Sequence, residues 1–268
     1  MCDFRSAFLT VCAYLTFVIV GSKLFKAKDA KGRDLMPTID PYALKFVYNI
    51  GQVMVCSYMA IEAFLIAYRN GYSAVPCNSY SVSSPPMVNV LYLFYLSKVF
   101  DFADTAFIII GKKWEQLSFL HVYHHCTIFS FYWLNSRVNY DGDVCLTIIL
   151  NGLIHSMMYT YYFVAMHTKV PKDWTATKVN KKTGKAEAMK NIPIAWKSLL
   201  TLGQLFQFCC MMSQAVYLLN SECKSLPNPI VIKSYLGYIL SLFVLFSQFF
   251  VQSYFPKKDK KAAEDKKN

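Results

Sequence analysis

The sequence predicts an all-α integral membrane protein, a bundle of seven transmembrane helices with a luminal N-terminus and a cytosolic C-terminus. The first observation behind this fold class is composition. Of the 268 residues, 55% are hydrophobic and 16% are charged, whereas about 25% of residues are charged in an ordinary soluble domain. The second observation is that basic residues concentrate in alternate loops, which is typical of a chain that crosses a membrane repeatedly.

Seven stretches are long and apolar enough to be membrane spans, since crossing a bilayer takes about 20 mostly apolar residues. The first stretch resembles a signal peptide in position, but no small-residue cleavage site follows it and the next segment is basic. The fourth stretch is the least apolar because it carries three histidines. The predicted spans are 5–23, 43–68, 88–111, 116–135, 144–166, 193–219 and 230–255.

The lysines and arginines indicate which loops face the cytosol. Segments 23–34, 112–113, 169–190 and the tail after residue 255 hold 5, 2, 7 and 6 of the 28 basic residues. Cytoplasmic loops are enriched in Lys and Arg, so these segments are predicted to be cytosolic. Topology thus explains the net charge of +12 without a nucleic-acid partner. The basic residues predicted on the other side are Arg5, Arg69, Arg137, Lys224 and Lys233.

We expect residues 1–255 to form the membrane domain and residues 256–268 to form a basic cytosolic tail without fixed structure. The tail ends in the low-complexity string KKDKKAAEDKKN, which cannot bury enough apolar surface to fold. Most of the nine cysteines lie in predicted spans, where a free thiol behaves as a small apolar residue. Cys77 and Cys223 fall in predicted luminal loops and could form a disulfide.

Charged side chains in the third span mark a candidate functional position, because ionisable groups inside a membrane are costly. Lys98, Asp101, Asp104 and Thr105 follow one another at helical spacing and therefore share one face. One interpretation is a structural lysine–carboxylate pair. Two carboxylates beside one lysine favour an interior polar site instead.

Three histidines in the fourth span, in the string HVYHH, also share one helix face: His121, His124 and His125. Each buried imidazole needs a polar partner, so three on one face favour chemistry over structure. The two interpretations are metal binding and catalysis by imidazole as base or nucleophile. The chain's five histidines are too few for an imidazole-rich di-iron centre, while a zinc site of three histidines and a water stays open.

Two further spans carry stripes of hydrogen-bonding side chains. In the fifth span, the stripe includes the fourth histidine of the chain. In the sixth span, glutamine side chains either join neighbouring helices or contact a ligand. The stripe of the fifth span is Asn151, His155, Tyr159 and Tyr162, and that of the sixth is Thr201, Gln204 and Gln207.

Taken in order, these motifs resemble those of the ELO family of fatty acid elongases, the membrane 3-ketoacyl-CoA synthases. The family patterns KxxExxDT, HxxHH, NxxxHxxMYxYY and TxxQxxQF are similar to residues 98–105, 121–125, 151–162 and 201–208. The resemblance covers about residues 40 to 255. One position departs from the pattern, because Asp101 stands where the family usually has Glu, which shortens the reach of the carboxylate by about 1.5 Å.

The resemblance implies the condensing step of fatty acid elongation, in which malonyl-CoA and an acyl-CoA give a 3-ketoacyl-CoA two carbons longer, with release of CO2 and CoA. It implies that His124 and His155 are the working imidazoles and that His121 and His125 complete their surroundings, with no cofactor and no metal. Direct attack by the enolate and a transient acyl-imidazole both stay open. The expected substrate-binding set is Lys98, Asp101, Asp104, Thr105, Asn151, Tyr159, Tyr162, Gln204 and Gln207.

The resemblance also sets expectations for substrate, location and partners. The form LHVYHH of the box is similar to that of the subgroup acting on C18–C20 polyunsaturated acyl-CoA, and the family points to the endoplasmic reticulum membrane. Lys112, Lys113 and the 169–190 loop could attract the anionic CoA group. A homodimer and contacts with the reductases and dehydratase of the elongation cycle are left open. The competing classes are a seven-span receptor or transporter and a zinc-dependent membrane hydrolase.

Overall fold

The computed structural model describes residues 3–79, 83–138, 142–167, 178–179, 186–187, 192–221, 223 and 229–255. Within these residues the chain forms eight helices and one pair of two-residue strands. The predicted tail and most of the 169–190 loop lie outside the described residues. The elements are α1 (Phe4–Lys26), α2 (Tyr42–Arg69), α3 (Val88–Phe100), α4 (Phe102–Ile110), α5 (Phe119–Val138), α6 (Val144–His167), β1 (Lys178–Val179), β2 (Ala186–Glu187), α7 (Ile192–Asn220) and α8 (Pro229–Tyr254).

Five of the described helices, α1, α2, α6, α7 and α8, are long and apolar enough to cross a membrane. Their outward surfaces carry many exposed apolar side chains, such as Leu9, Val47 and Leu240, which suits contact with lipid. The predicted helical membrane architecture is confirmed in this general form. The strands β1 and β2 pair antiparallel, with Lys178 opposite Glu187, and are a local addition to the predicted all-α fold.

The predicted third span, 88–111, is interrupted at Asp101, so it consists of α3 and α4 rather than one helix. At the break, the Asp104 N–H donates to the Asp101 carbonyl three residues earlier, at 3.2 Å. The Phe100 carbonyl accepts a hydrogen bond from the Tyr48 hydroxyl, at 3.3 Å. Insertion of a side chain into the main-chain ladder is a common cause of helix bending. The break therefore places a carboxylate at an interruption of the helix inside the bundle.

Helices α2 and α6 pack with their backbones close together. A Cβ atom at Gly152 would lie 2.9 Å from the Cys56 carbonyl oxygen and 3.0 Å from the Ala60 Cβ. Small residues at such contacts let membrane helices approach closely. Nearby, the hydroxyls of Ser57 and Ser156 are 2.7 Å apart. These contacts fix the position of α6 along α2.

The buried apolar residues form two main clusters within the described chain. The larger cluster joins α1, α2, α3, α5 and α6 and includes Met59, Phe94 and Ile148. The second joins α7 and α8 to α5 and includes Met211 and Leu242. Helix α5 therefore contributes to both clusters and lies between α3 on one side and α8 on the other.

At one end of the bundle, Asp143 accepts hydrogen bonds from two other segments of the chain. Its carboxylate accepts hydrogen bonds from the main-chain N–H groups of Cys77 and Asn78, at 3.0 and 3.1 Å. The Gln214 side chain donates to the Asp143 carbonyl at 2.8 Å. A disulfide joins Cys77 to Cys223, which is one of the alternatives that the sequence left open. Three predicted luminal connections therefore meet at this end.

The opposite end is held by ion pairs between connections predicted to be cytosolic. The Asp29 carboxylate accepts hydrogen bonds from the main-chain N–H groups of Arg33 and Lys31, at 2.9 and 2.8 Å. The Arg33 N–H is the main cause of a lowered pKa of Asp29. Lys112 Nζ donates to Asp34 at 2.7 Å, and this contact lowers the pKa of Asp34. The α1–α2 loop is thereby tied to the turn between α4 and α5.

Candidate active site

The histidine face of α5 points into the bundle. The ring centroids of His121 and His125 are 4.4 Å apart, and those of His124 and His125 are 5.7 Å apart. The His125 ring also lies 6.2 Å from both Tyr14 of α1 and Phe102 of α4. The spacing of the three histidines in the sequence thus corresponds to one imidazole surface inside the protein.

A cavity lies between α5, α6, α7 and α8, and we call it the histidine cavity. Its polar lining comprises His124, Asn151, His155, Gln204 and Gln207. The remaining walls are apolar or aromatic, and among them Tyr132, Met211 and Tyr238 lie furthest along their helices toward the Asp143 end. The cavity therefore combines imidazole and amide groups with apolar and aromatic walls.

Several buried polar atoms at this cavity have no hydrogen-bond partner among the described residues. They are Nδ1 of His124, His125 and His155 and Oδ1 of Asn151. Leaving a buried polar atom unpaired costs about 1–3 kcal/mol. Of these four residues, His124, His155 and Asn151 line the cavity. Three of the four unpaired atoms therefore belong to residues that line the cavity.

A second set of polar side chains lies beside the histidine cavity, where α2, α3, α4 and α6 meet. Lys98 Nζ donates to Asp101 Oδ2 at 3.0 Å, and Gln52 Nε2 donates to Asp101 Oδ1 at 2.8 Å. The Lys98 ammonium also lies 4.3 Å from the centroid of the Phe94 ring, a favourable cation–π contact. Only 1% of Lys98 and 3% of Asp101 is exposed, so this ion pair is shielded from solvent.

The second carboxylate, Asp104, is bonded to the same set through tyrosines. The Tyr159 hydroxyl donates to Asp104 Oδ2 at 2.8 Å and lies 3.3 Å from the Tyr48 hydroxyl. Gln52 Nε2 donates to the Tyr48 oxygen at 2.9 Å. Gln52 therefore links both carboxylates. We call this set the carboxylate network, and its members are Gln52, Tyr48, Lys98, Asp101, Asp104 and Tyr159.

Thr105 connects the histidine face to α1. Its hydroxyl lies 2.8 Å from His121 Nε2 and 3.0 Å from the Tyr14 hydroxyl. Thr105 is fully buried, so it cannot exchange these partners for bulk water. The chain of three side chains therefore sets the position of His121 relative to α1 and α4.

The predicted site residues are thus divided among different surroundings. Tyr162 is 41% exposed and contacts the Tyr159 ring outside the histidine cavity. The Thr201 hydroxyl donates to the Lys197 carbonyl of its own helix, at 3.1 Å. The polar residues that line the cavity are His124, Asn151, His155, Gln204 and Gln207, while Lys98, Asp101, Asp104, Thr105 and Tyr159 lie behind them.

Sequence reasoning alone misses three polar side chains that the fold brings to the site, namely Tyr14, Tyr48 and Gln52. An amide inside an apolar span is a usable signal, and the string NIGQVMV holds two of them, Asn49 and Gln52. The two tyrosines give no comparable signal, because tyrosine is common at the ends of membrane helices. Their importance depends on which helices lie next to them.

A metal site requires three or more suitable ligands around one point. Within the part of the chain that the structure describes, no group of three His, Cys, Asp or Glu side chains is arranged to hold a metal ion. His121 Nε2 is directed to Thr105, whereas His124 lines the cavity opposite α7 and α8. The three histidines of α5 therefore do not converge as a zinc site would require.

The fold and the site together define a helical membrane protein with a cavity lined by two imidazoles, three side-chain amides and apolar walls. The family model described as the GNS1/SUR4 family, ELO, matches residues 1–262. The chain therefore belongs to the ELO family, as its ordered motifs predicted.

Curated relatives support the same assignment over most of the chain. Very long chain fatty acid elongase 2 of Mus musculus is 26% identical over 266 residues, 98% of this chain and 81% of its own length. Very long chain fatty acid elongase 4 of Macaca mulatta is 30% identical over 256 residues, 92% and 71% of the two chains. Very long chain fatty acid elongase 5 of Tachysurus fulvidraco is 28% identical over 222 residues, which is 82% of this chain and 67% of its own length. The chain is thus related to enzymes of fatty acid elongation.

Proposed function

We propose that the chain is a very-long-chain 3-oxoacyl-CoA synthase, an acyltransferase that condenses malonyl-CoA with a long-chain acyl-CoA. The product is a 3-ketoacyl-CoA two carbons longer, and CO2 and CoA are released. The observation that carries the proposal is that His124, His155 and Asn151 share one cavity in an apolar bundle and have unpaired polar atoms there. Membership of the ELO family supports it.

The reaction makes one carbon–carbon bond and breaks two bonds. Loss of CO2 from malonyl-CoA leaves the enolate of a two-carbon thioester. The enolate carbon attacks the thioester carbonyl of the acyl-CoA, the carbon–sulfur bond breaks, and the CoA thiolate leaves and takes up a proton. Negative charge develops on both thioester oxygens, so hydrogen-bond donors placed near them accelerate the reaction.

The residues of the histidine cavity can meet these needs. The side-chain amides of Asn151, Gln204 and Gln207 can donate to the developing oxyanions. One of His124 and His155 acts as nucleophile or general base, and the other orients malonyl-CoA. In this proposal no cofactor takes part in the reaction.

The carboxylate network supports the imidazoles through the helices that carry both. Tyr159 of the network lies one turn after His155 on α6, and their ring centroids are 6.0 Å apart. On α4, the Thr105 hydroxyl lies 2.8 Å from His121 Nε2. Lys98 and Asp101 thus hold helices and imidazoles in position rather than contacting the substrate.

The apolar walls of the histidine cavity fit the acyl chain. We propose a C18–C20 polyunsaturated acyl-CoA as substrate, on the basis of the form LHVYHH of the histidine box. Tyr132, Met211 and Tyr238 would limit chain length, because they lie toward the far end of the lining. Met211→Ala should lengthen the longest product, whereas Met212→Ala, next to it but outside the lining, should not.

The CoA group would enter from the cytosolic side. We propose seven crossings, with α3 and α4 counted as one, a luminal N-terminus and a cytosolic C-terminus in the endoplasmic reticulum membrane. Lys112 already pairs with Asp34, so electrostatic attraction of CoA depends more on Lys113 and the basic 169–190 loop. Reduction and dehydration of the product need other enzymes. We propose that the chain contacts those enzymes and that it forms a homodimer. Protease treatment of sealed microsomes should cleave a C-terminal epitope and spare an N-terminal one.

The decisive experiment is an elongation assay in membranes of a host that expresses the chain. Labelled malonyl-CoA and a panel of acyl-CoAs should give products two carbons longer, and His124→Ala should abolish them. His167→Ala is the matched control, because His167 lies at the end of α6 against Tyr42 and outside the cavity. Folded protein that elongates no member of the panel would contradict the proposal and favour a receptor or transporter. Stoichiometric zinc in the purified protein would favour a hydrolase.

Mass spectrometry separates the two versions of the chemistry. After incubation with acyl-CoA alone, the acyl-imidazole version predicts an acyl adduct on His124 or His155 that malonyl-CoA removes. Direct enolate attack predicts no adduct under conditions where the same sample elongates.

A further inference from the structure

Gln52 lies on α2, a helix that carries none of the site residues predicted from the sequence. Its side chain is buried in the middle of an apolar span, where an amide is costly unless its polar atoms are paired. Its amide nitrogen donates to Asp101 Oδ1 at 2.8 Å and to the Tyr48 oxygen at 2.9 Å. Both amide hydrogens are therefore used within the carboxylate network.

The Gln52 contact constrains Asp101 in a way that Lys98 alone cannot. Lys98 holds one carboxylate oxygen and comes from the same helical turn, three residues before Asp101. A carboxylate bonded at one oxygen can still rotate about that contact. Gln52 bonds the other oxygen from a different helix. The two donors together fix the plane of the carboxylate relative to the rest of the bundle.

Gln52 also reaches the helix break and the second carboxylate. Tyr48, which accepts from Gln52, donates to the Phe100 carbonyl at the junction of α3 and α4. The Tyr48 hydroxyl also lies 3.3 Å from that of Tyr159, which donates to Asp104. One amide on α2 therefore contacts Asp101 directly and, through Tyr48, the helix interruption beside it.

We propose that Gln52 is a positioning residue for the condensation, which holds the Asp101 carboxylate directly and, through Tyr48 and Tyr159, the part of α6 that carries His155. The inference rests on the proposed function, because it concerns the same site. Gln52 is not part of the lining of the histidine cavity. Its loss should therefore reduce the rate of the chemical step more than the binding of either substrate.

The first experiment compares two buried amides of α2 in the purified full chain. Gln52→Leu should lower kcat by about 10- to 100-fold, because small displacements of a supporting group have effects of that size, with KM changed by less than about threefold. Asn49→Leu is the matched control, since Asn49 is buried one turn earlier and contacts only the Met166 sulfur among the described side chains. It should keep kcat within about twofold of the wild type.

The second experiment exchanges one methylene group between the two partners. Gln52→Asn shortens the amide, Asp101→Glu lengthens the carboxylate, and each change alone should lower kcat. The double variant keeps the combined length of the two side chains. Its kcat should exceed that of Gln52→Asn by at least about tenfold, because the two residues act as one unit. In an Asp101→Asn background, Gln52→Leu should cause little further loss. This exchange decides the matter even where Gln52→Leu fails to fold.

Two results would overturn the proposal. One is a Gln52→Leu variant that elongates like the wild type, and the other is an exchange variant no better than Gln52→Asn. Both results contradict the role of Gln52 and leave the proposed function intact, because the wild-type chain elongates acyl-CoA in the same assays. A wild-type chain that elongates no acyl-CoA contradicts the proposed function and this inference together.

Discussion

The carboxylate network and the histidine cavity lie side by side in the bundle but differ in how their polar atoms are paired. In the network, Asp101 is bonded at both oxygens, and Asp104 accepts from Tyr159. In the cavity, His124 and His155 each have a ring nitrogen without a partner in the described chain. The network is thus internally bonded, whereas residues of the cavity lining carry polar atoms that are unpaired within the described chain, at a cost in stability.

Mutations should distinguish the two regions, because replacing a paired polar group and replacing an unpaired one have opposite effects on stability. Removing one member of a paired set leaves its partner unsatisfied and destabilises the fold. Removing an unpaired polar atom relieves a cost that the fold already bears. Activity and the apparent melting temperature in detergent should therefore respond differently on the two sides.

The largest effect is expected on activity when His155 is replaced by Phe. Elongation should fall by about 10²- to 10⁴-fold, the usual contribution of a positioned acid–base group. The melting temperature should stay equal or rise, because an unpaired buried nitrogen is removed. His167→Phe is the matched control and should elongate normally. A clear drop in the melting temperature of His155→Phe would contradict the comparison.

The next largest effect is expected on stability when Lys98 is replaced by Met. The variant leaves the Asp101 carboxylate without its buried counter-charge, and breaking such a pair costs about 3–5 kcal/mol. Adding Asp101→Leu removes the uncompensated charge, so the double variant should regain a large part of the lost stability. Thermal unfolding of the three proteins in detergent is the measurement. A Lys98→Met melting temperature equal to that of the wild type would show that the pair contributes nothing.

A smaller loss is expected from Tyr159→Phe, which removes the hydroxyl that donates to Asp104. The buried carboxylate then loses a donor, at a cost of about 1–3 kcal/mol. Tyr162→Phe provides the control, because its side chain is 41% exposed and the change should stay within about 0.5 kcal/mol. Equal melting temperatures of the two variants would argue against a paired network.

A related loss of stability is expected where α2 meets α6, since that contact holds the two regions together. Gly152→Ala would place a methyl group 2.9 Å from the Cys56 carbonyl, and such overpacking costs about 1–3 kcal/mol. Gly203→Ala is the control, because its new methyl would meet only the flexible end of Ile154. The control should cost less than about 1 kcal/mol. Thermal unfolding that ranks the two variants in reverse would contradict the close contact.

The ends of several helices and the histidine face followed from the sequence because they depend on local properties. The predicted span 230–255 corresponds to α8, Pro229–Tyr254, and the span 144–166 to α6, Val144–His167. A long apolar run sets where a membrane helix begins and ends. Helical periodicity sets which side chains share a face, so the shared face of His121, His124 and His125 could be predicted without a structure.

Only the tertiary structure decided which polar groups are paired. Gln52 and Asp101 are 49 residues apart in the chain, and Tyr14 and Thr105 are 91 residues apart, so no local pattern joins them. The helix interruption at Asp101 is likewise contacted by a tyrosine from another helix, which donates to the Phe100 carbonyl. The sequence by itself determined which side chains lie inside the membrane bundle. Their division into a bonded network and an open cavity required the packing of α2 and α6, because a hydrogen bond between two helices forms only where those helices are in contact.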